Sequence, residues 1–328
     1  TDNTVAVIAD YRDRIRYVRT GNGGPARARN VGMAMARGEY ICWLDSDDFF
    51  HPAKLALQSA VLDAHPDVAM VCTECSGFDD HGAWFEYHLQ DYHASAYRRG
   101  GVAYDVLFDR ATPIGQVAAL RATLPDGSDW GNRKLYLGRI FDRYLMNTVV
   151  FTNSMLFRRA AFEEIGPQRP RFGFFHDLEF ALRLTRARQT AFLDVPTYAI
   201  RYHPDQISTK VGPRAPWILI RKQQDLLRVL RVHGMRDRSY YLAHKAIVDR
   251  QYSRLCRAVA IPMLGYVSGS AHHSRYLPQR ARIYLRHAAR LGHPHRLLML
   301  ASRLPQLPRR LVMKLESLVR SLQARWHT

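Results

Sequence analysis

Apolar positions along the first two thirds of the chain follow two rhythms that take turns. RIRYVR (14–19) has the composition of a short strand, and residues 25–37 carry small and apolar side chains at helical spacing until Gly38 stops them. Residues 40–44 predict the next strand. Beyond Pro52, Leu55, Leu57, Val61 and Leu62 mark an amphipathic helix, and 67–75 returns to a strand pattern. Strands alternating with helices predict an α/β fold with a mixed, mostly parallel sheet covered by helices on both faces. Residues 79–138 are rich in Gly, Asp and Tyr and weakly periodic, which predicts turns, a hairpin and long loops suited to holding substrate. A strand over 147–157, a short helix over 160–165 closed by Gly166-Pro167, a strong helix over 177–188 and a strand over 190–202 follow. From Trp217 onward, three-four spacing predicts helices over 217–232, 239–259, 280–291 and 309–325.

Composition divides the chain at the same place. The 328 residues are 47% hydrophobic, enough for a full core, and disorder is excluded. The net charge of +19 is not spread evenly: residues 215–328 hold 22 Lys+Arg against four acids, whereas 1–214 hold 26 against 25. A near-neutral domain over 1–214 and a basic helical region over 215–328 follow, with the boundary near 213–216. Because the excess lies in the tail alone, the charge does not make nucleic acid the expected partner. No stretch reaches the roughly 18 apolar residues of a membrane span. In the last helix, Leu311, Val312, Leu315, Leu318, Val319, Leu322 and Trp326 line one face, flanked by Arg310, Lys314, Arg320 and Arg325. That pattern suits either an anionic membrane surface, met by residues 280–328, or packing with a solvated basic face. Four cysteines are too few for a disulfide scaffold and fit a reducing, cytoplasmic setting. Cys72 and Cys75 lie in DVAMVCTECSGF, a buried-strand composition in which residues three apart face opposite sides, so they read as core cysteines.

Asp45, Asp47 and Asp48 crowd directly after a strand in YICWLDSDDFFHP (40–52), at the carboxyl end where such sheets receive ligands. Clustered carboxylates repel one another unless a cation or hydrogen-bond donors compensate. A hard divalent ion, Mg²⁺ or Mn²⁺, is one answer; a helix N-cap by Asp48 is the other.

Four runs, GNGGPARARNVGMAMARGEYICWLDSDDFFHPAKL (21–55), FTNSMLFRRAAFEEIG (151–166), FFHDLEFALRLTR (174–186) and YAIRYHPDQIS (198–208), resemble successive signatures of family 2 glycosyltransferases with the GT-A fold. The resemblance covers residues 1 to about 210. It implies inverting sugar transfer from a nucleotide-diphosphate sugar to an acceptor hydroxyl of a carbohydrate, lipid-linked or protein acceptor. It makes Asp47 and Asp45 contacts to metal and donor, Arg29 and Asn30 donor-binding residues, and His203 a metal or diphosphate contact. Asp177 matches the carboxylate that acts as general base, a role that needs hydrogen-bond reach to the attacking hydroxyl. His176 stands where a Glu is usual, and Thr152, Asn153 and Ser154 fall on the acceptor side. Glu179 and Arg183, four apart on a helix, read instead as a supporting ion pair.

The family normally begins with a strand, a helix and a second strand ending in Asp-Asp-Gly-Ser. This chain opens on Thr1-Asp2-Asn3-Thr4, which resembles the residues just after that element, so the sequence reads as N-terminally truncated. Two functions remain: a transferase in cell-surface polysaccharide or glycolipid synthesis, acting at the inner face of the cell membrane, or an inactive truncated relative whose basic tail binds anionic lipid or nucleic acid.

Overall fold

A computed structural model describes residues 3–11, 13–87, 89, 104–146, 152–203, 215–265, 271–304, 309 and 311–318. Its centre is one sheet with eight strands: β1 (Tyr40–Cys42), β2 (Phe49–Phe50), β3 (Val68–Asp79), β4 (Trp84–Phe85), β5 (Arg110–Pro113), β6 (Lys134–Gly138), β7 (Leu156–Arg158) and β8 (Gln189–Tyr202). The order is β1-β7-β3-β8-β6-β5, with β2 added to β8 and β4 to β3. The longest pairing, β3 with β8, is parallel, and the helix His176–Ala187 lies directly before β8.

The sheet is mixed as expected, but the balance differs from the mostly parallel one anticipated. The other pairings among the described residues are antiparallel. The reason lies in the connections: β4 returns on β3 as a hairpin through a tight turn, and β6 lies antiparallel to β5 after the short helical turns of 114–133. The hairpin expected in 79–138 is therefore present. Residues 14–19 form no strand. Ile15, Tyr17 and Val18 are 42%, 44% and 47% exposed, and strand composition without a neighbouring strand to pair leaves a loop. Of the strand expected over 147–157, only Leu156–Arg158 is strand; 152–154 is a 3-10 turn and 147–151 lie outside the described residues.

Alternation along the strands sorts apolar side chains to opposite faces. Val71, Leu135, Leu137, Leu156, Ala191 and Leu193 pack with Leu57, Val61 and Leu62 of the helix Lys54–Ala64. Met70, Cys72, Tyr136, Phe157 and Phe192 pack on the other side with Phe180, Leu182 and Leu184 of the helix His176–Ala187. That second cluster continues without a break into Ile220, Leu227, Leu230, Val248, Leu255 and Val259, so the basic helices share a core with the sheet. They comprise Ala215–Leu230, a π turn over Arg231–Met235, Arg238–Ala243, Lys245–Gly265, Ala271–Arg290, Arg296–Ala301 and 311–318. No helix among the described residues is long and apolar enough to cross a membrane. Cys72 and Cys75 are buried free thiols in β3, as the composition of that segment implied.

One buried carboxylate makes stability sensitive to pH. Glu74 on β3 is fully buried and accepts hydrogen bonds from the Tyr104 hydroxyl and the Cys75 and Leu89 amides. Burial outweighs those donors and lifts its pKa from 4.5 to about 7. The folded state therefore holds a proton that the unfolded state releases, and stability falls as pH rises from 4.5 through about 7. We expect Glu74→Gln to remove a slope worth roughly 3 kcal/mol over that window, seen by comparing urea unfolding of the two proteins at pH 4.5 and pH 8.

Candidate active site

The three carboxylates of the acidic turn each have a different partner, and none caps a helix. Asp45 is gripped twice, by the Arg29 guanidinium at 2.8 Å on Oδ1 and by the Asn153 amide at 2.7 Å on Oδ2. Arg29 also donates to Asn153 Oδ1 at 3.1 Å and stacks over the Trp43 ring, 5.0 Å from its centroid. Asp47 Oδ2 is 3.0 Å from His203 Nε2. Asp48 turns inward, where it accepts from the Tyr198 hydroxyl and from the Arg201 amide at 3.0 Å. Burial raises the Asp48 pKa against the pull of those two donors, and its neighbours Asp47 and Asp45 add to the rise. The N-cap role open to Asp48 in the sequence is thus not taken; the helix Lys54–Ala64 starts after Ala53 without a side-chain cap.

Local structure explains these placements. The chain leaves β1 at Cys42, makes the acidic turn and re-enters the sheet as β2, where Phe49 and Phe50 pair with Ala199 and Tyr198. That pairing brings β8 under the turn, so Tyr198 and His203 arrive from one strand and the residue following it. Arg29 comes from the helix Pro25–Met35, entered through Gly24 at φ 78°, a backbone state open to glycine. Asn153 sits in the 3-10 turn 152–154, whose Ser154 carbonyl accepts from both the buried Lys54 ammonium at 2.6 Å and the Gln58 amide at 2.8 Å. Burial lowers the Lys54 pKa to about 8.

These residues open on a cavity of about 1000 Å³ that also receives Gly23, Gly24, Phe174, His176, Asp177, Tyr202, Arg221 and Lys222. Asp177 lies in the first turn of the helix His176–Ala187, which has no side-chain cap; its Oδ1 accepts from the Leu178 amide at 2.7 Å. His176 is 6% exposed, its Nδ1 has no hydrogen-bond partner, and burial depresses its pKa while Asp177 opposes the shift. Glu179 faces away from the cavity into an ion-pair network with Arg183 at 3.1 Å, Arg169 at 2.9 Å and His233 at 3.3 Å. Burial pushes its pKa up, and His233 and the two arginines more than reverse that.

The structure thus brings Arg29, Asp45, Asp47, Asn153, His176, Asp177 and His203 together, but not every residue of the expected set. Asn30 lies on the far side of its helix, its amide exchanging two 2.9 Å hydrogen bonds with the Gln168 backbone. Ser154 is fully buried and its Oγ accepts from the Thr73 amide, so it supports the turn. The Thr152 side chain lies outside the described residues. Asp45, expected as a metal contact, has both carboxylate oxygens engaged by the chain itself. Among the described residues no group of three or more His, Cys, Asp or Glu is arranged to hold a metal. Sequence reasoning missed Tyr198 and the cationic pair Arg221 and Lys222. Tyr198 and Asp48 are 150 positions apart, and no local pattern links them.

A mixed sheet flanked by helices, with an acidic turn and a carboxylate-bearing helix start facing one cavity, is the GT-A arrangement of glycosyltransferases. Residues 1–166 match the model of the glycosyl transferase family 2, half of the chain, and the protein belongs to that family. It is similar to the poly(ribitol-phosphate) beta-N-acetylglucosaminyltransferase TarS of Staphylococcus aureus, 33% identical over 76 residues, which are 22% of this chain and 13% of that protein. An uncharacterized glycosyltransferase of Rickettsia typhi is 36% identical over 73 residues, 22% of this chain and 23% of its own length. The uncharacterized protein y4gI of Sinorhizobium fredii is 30% identical over 135 residues, 40% of this chain and 15% of its own. The matched part of the chain therefore spans less than a quarter of each of these relatives.

Removing the Asp48 carboxylate strands a buried phenol and a backbone amide. At about 1–3 kcal/mol for each unsatisfied group, Asp48→Ala should cost roughly 2–6 kcal/mol in urea unfolding, whereas Tyr198→Phe, which removes the donor instead, should cost about 1 kcal/mol.

Proposed function

We propose that the protein transfers a sugar, with inversion, from a nucleotide-diphosphate donor to an acceptor hydroxyl, in the synthesis of a cell-surface polysaccharide or glycolipid. The observation that carries this reading is the shared cavity: Asp47, which His203 contacts at 3.0 Å, and Asp177 line the same space. Arg29 serves the donor side, where a guanidinium suits carbonyl or phosphate oxygens. Asp45 works through Arg29 and Asn153, fixing both side chains at the cavity wall. Gly23 and Gly24 bring the N-terminus of the helix Pro25–Met35 to the same wall, and its amide groups favour an anion.

A divalent metal, Mg²⁺ or Mn²⁺, fits Asp47 and His203. One carboxylate and one imidazole nitrogen stand 3.0 Å apart, and a hard ion with few protein ligands completes its shell with water and diphosphate oxygens. When bound, it supplies charge neutralisation for the departing diphosphate. Asp177 accepts the proton of the acceptor hydroxyl as the new C–O bond forms and the bond to the diphosphate breaks. The low pKa of buried His176 keeps its imidazole neutral beside that carboxylate, so it can position an acceptor without adding charge.

Asp177→Asn should lower kcat by 10²–10⁴-fold, the usual worth of a general base, with the donor KM changed less than threefold. Asp47→Ala should abolish metal-stimulated turnover. Steady-state transfer by the full-length protein with Mg²⁺ or Mn²⁺ tests both, and wild-type rates in either variant would sink the assignment.

The family resemblance to membrane-face polymer synthesis suggests peripheral attachment, and one feature of the last helix supports it. Leu311, Leu315 and Leu318, spaced along one helical face, are 69%, 50% and 56% exposed, while Val312 and Met313 pack against the core and Glu316 is held by Arg257 at 3.0 Å. Positions 310 and 319–328 lie outside the described residues. Leu311→Ser with Leu315→Ser should reduce co-sedimentation with phosphatidylglycerol vesicles severalfold; equal partition of variant and wild type would exclude this face.

A further inference from the structure

One wall of the cavity comes from the basic C-terminal region and has no role in the reading above. The helix Ala215–Leu230 packs against the turn Pro170–Phe175, which runs straight into His176 and Asp177. From this helix Arg221 and Lys222 reach the cavity. Lys222 Nζ lies 5.4 Å from the centre of the Phe174 ring, another lining residue. The wall is built from beneath by Asp225, fully buried, which accepts from Arg221 at 3.3 Å, from Arg228 at 2.9 Å and from the Phe174 amide at 3.3 Å. Gly173, at φ 55°, presses against that carboxylate, and a Cβ there would collide with it. One buried acid thus pairs with two arginines and pins the turn that leads into Asp177.

Asp45, Asp47 and Asp48 stand at the end where the donor's diphosphate is expected, and Arg29 is the cation there. Arg221 and Lys222 line the wall beside the turn that leads into Asp177, with Asp225 beneath them. Two cations adjacent in sequence match the charge of a phosphate group better than that of a single carboxylate. Resting on the transferase reading, we propose that Arg221 and Lys222 form an anion subsite on the acceptor side, and that the acceptor carries a phosphate group close to the hydroxyl that receives the sugar. The basic helical region is then part of substrate selection.

The same two cations could instead hold the donor's own phosphates, so the test separates the sources. Calorimetry on the full-length protein would use a glycerol-phosphate hexamer as the acceptor-side probe and magnesium pyrophosphate as the donor-side probe. The Arg221→Ala, Lys222→Ala double variant should weaken hexamer binding at least tenfold and pyrophosphate binding less than twofold. Arg280→Ala with Arg290→Ala removes equal charge from exposed positions outside the cavity and should leave hexamer binding within twofold, which excludes a diffuse attraction to the basic region. No hexamer binding by the wild type, no loss in the double variant, or an equal loss in the Arg280, Arg290 variant would each overturn the subsite. An equal loss for pyrophosphate would reassign the cations to the donor. The parent reading fails separately, by Asp47→Ala leaving magnesium pyrophosphate binding intact.

Discussion

Three carboxylates within four residues cannot share one environment, and the way their repulsion is relieved organises the rest of the molecule. Each is paired with a group from a different direction: Asp45 with Arg29 and Asn153, Asp47 with His203, Asp48 with Tyr198 and the Arg201 backbone. The three solutions are not equivalent. Asp48 is a structural anchor whose ionisation burial opposes, Asp45 is a brace between two polar side chains, and Asp47 is left facing the cavity with an imidazole beside it. A turn that looks like a single acidic motif is therefore three residues with three tasks.

Tyr198, Arg201 and His203 among those partners are delivered by the long parallel pair. β3 and β8 run side by side from Val68 and Gln189 to Asp79 and Tyr202, with register irregularities at Thr73 to Cys75. The C-terminal half of β8 then extends far enough to pair with β2 and to set Tyr198 beneath the turn. On the other flank, β7 lies between β1 and β3 and fixes the 152–154 turn that presents Asn153. Lys54 and Gln58, both fully buried, hold that turn by its Ser154 carbonyl. Burying an ammonium is costly, and its depressed pKa records the strain against charge there; two good acceptors at 2.6 Å are what make the position tolerable.

Much of this was readable from the chain. Hydrophobic periodicity places the helices at Pro25, Lys54 and His176 and the strands at Tyr40, Val68 and Gln189 to within a few residues, because each buries a continuous apolar face and carries strong local signals. The ordered motifs led to Arg29, the acidic turn and Asp177, which line one cavity, and to His203, which contacts Asp47. What did not read were partnerships set only by tertiary contact. RIRYVR has strand residues, yet pairing depends on a neighbour and not on composition. Asn30 sits beside Arg29 in sequence but a helical step turns it toward Gln168. Asn153 and Ser154 are adjacent small polar residues, one aimed at Asp45 and the other at the interior, a distinction that exists only once the 3-10 turn forms.

The composition boundary near residue 214 invited a division of labour, with catalysis before it and docking after it. The packing argues otherwise. Glu179, on the helix His176–Ala187, is fully buried and meets His233 of the π turn as well as Arg169 and Arg183. Asp225 lies under the turn preceding the same helix. The first turn of that helix and the turn before it are thus each tied to the basic region by a buried carboxylate. Displacing these helices would take His233 from Glu179 and the Asp225 carboxylate from the Phe174 amide, on either side of the helix start that carries Asp177. The charge excess after residue 214 marks a change in surface, while the core and the electrostatics of the cavity continue across it.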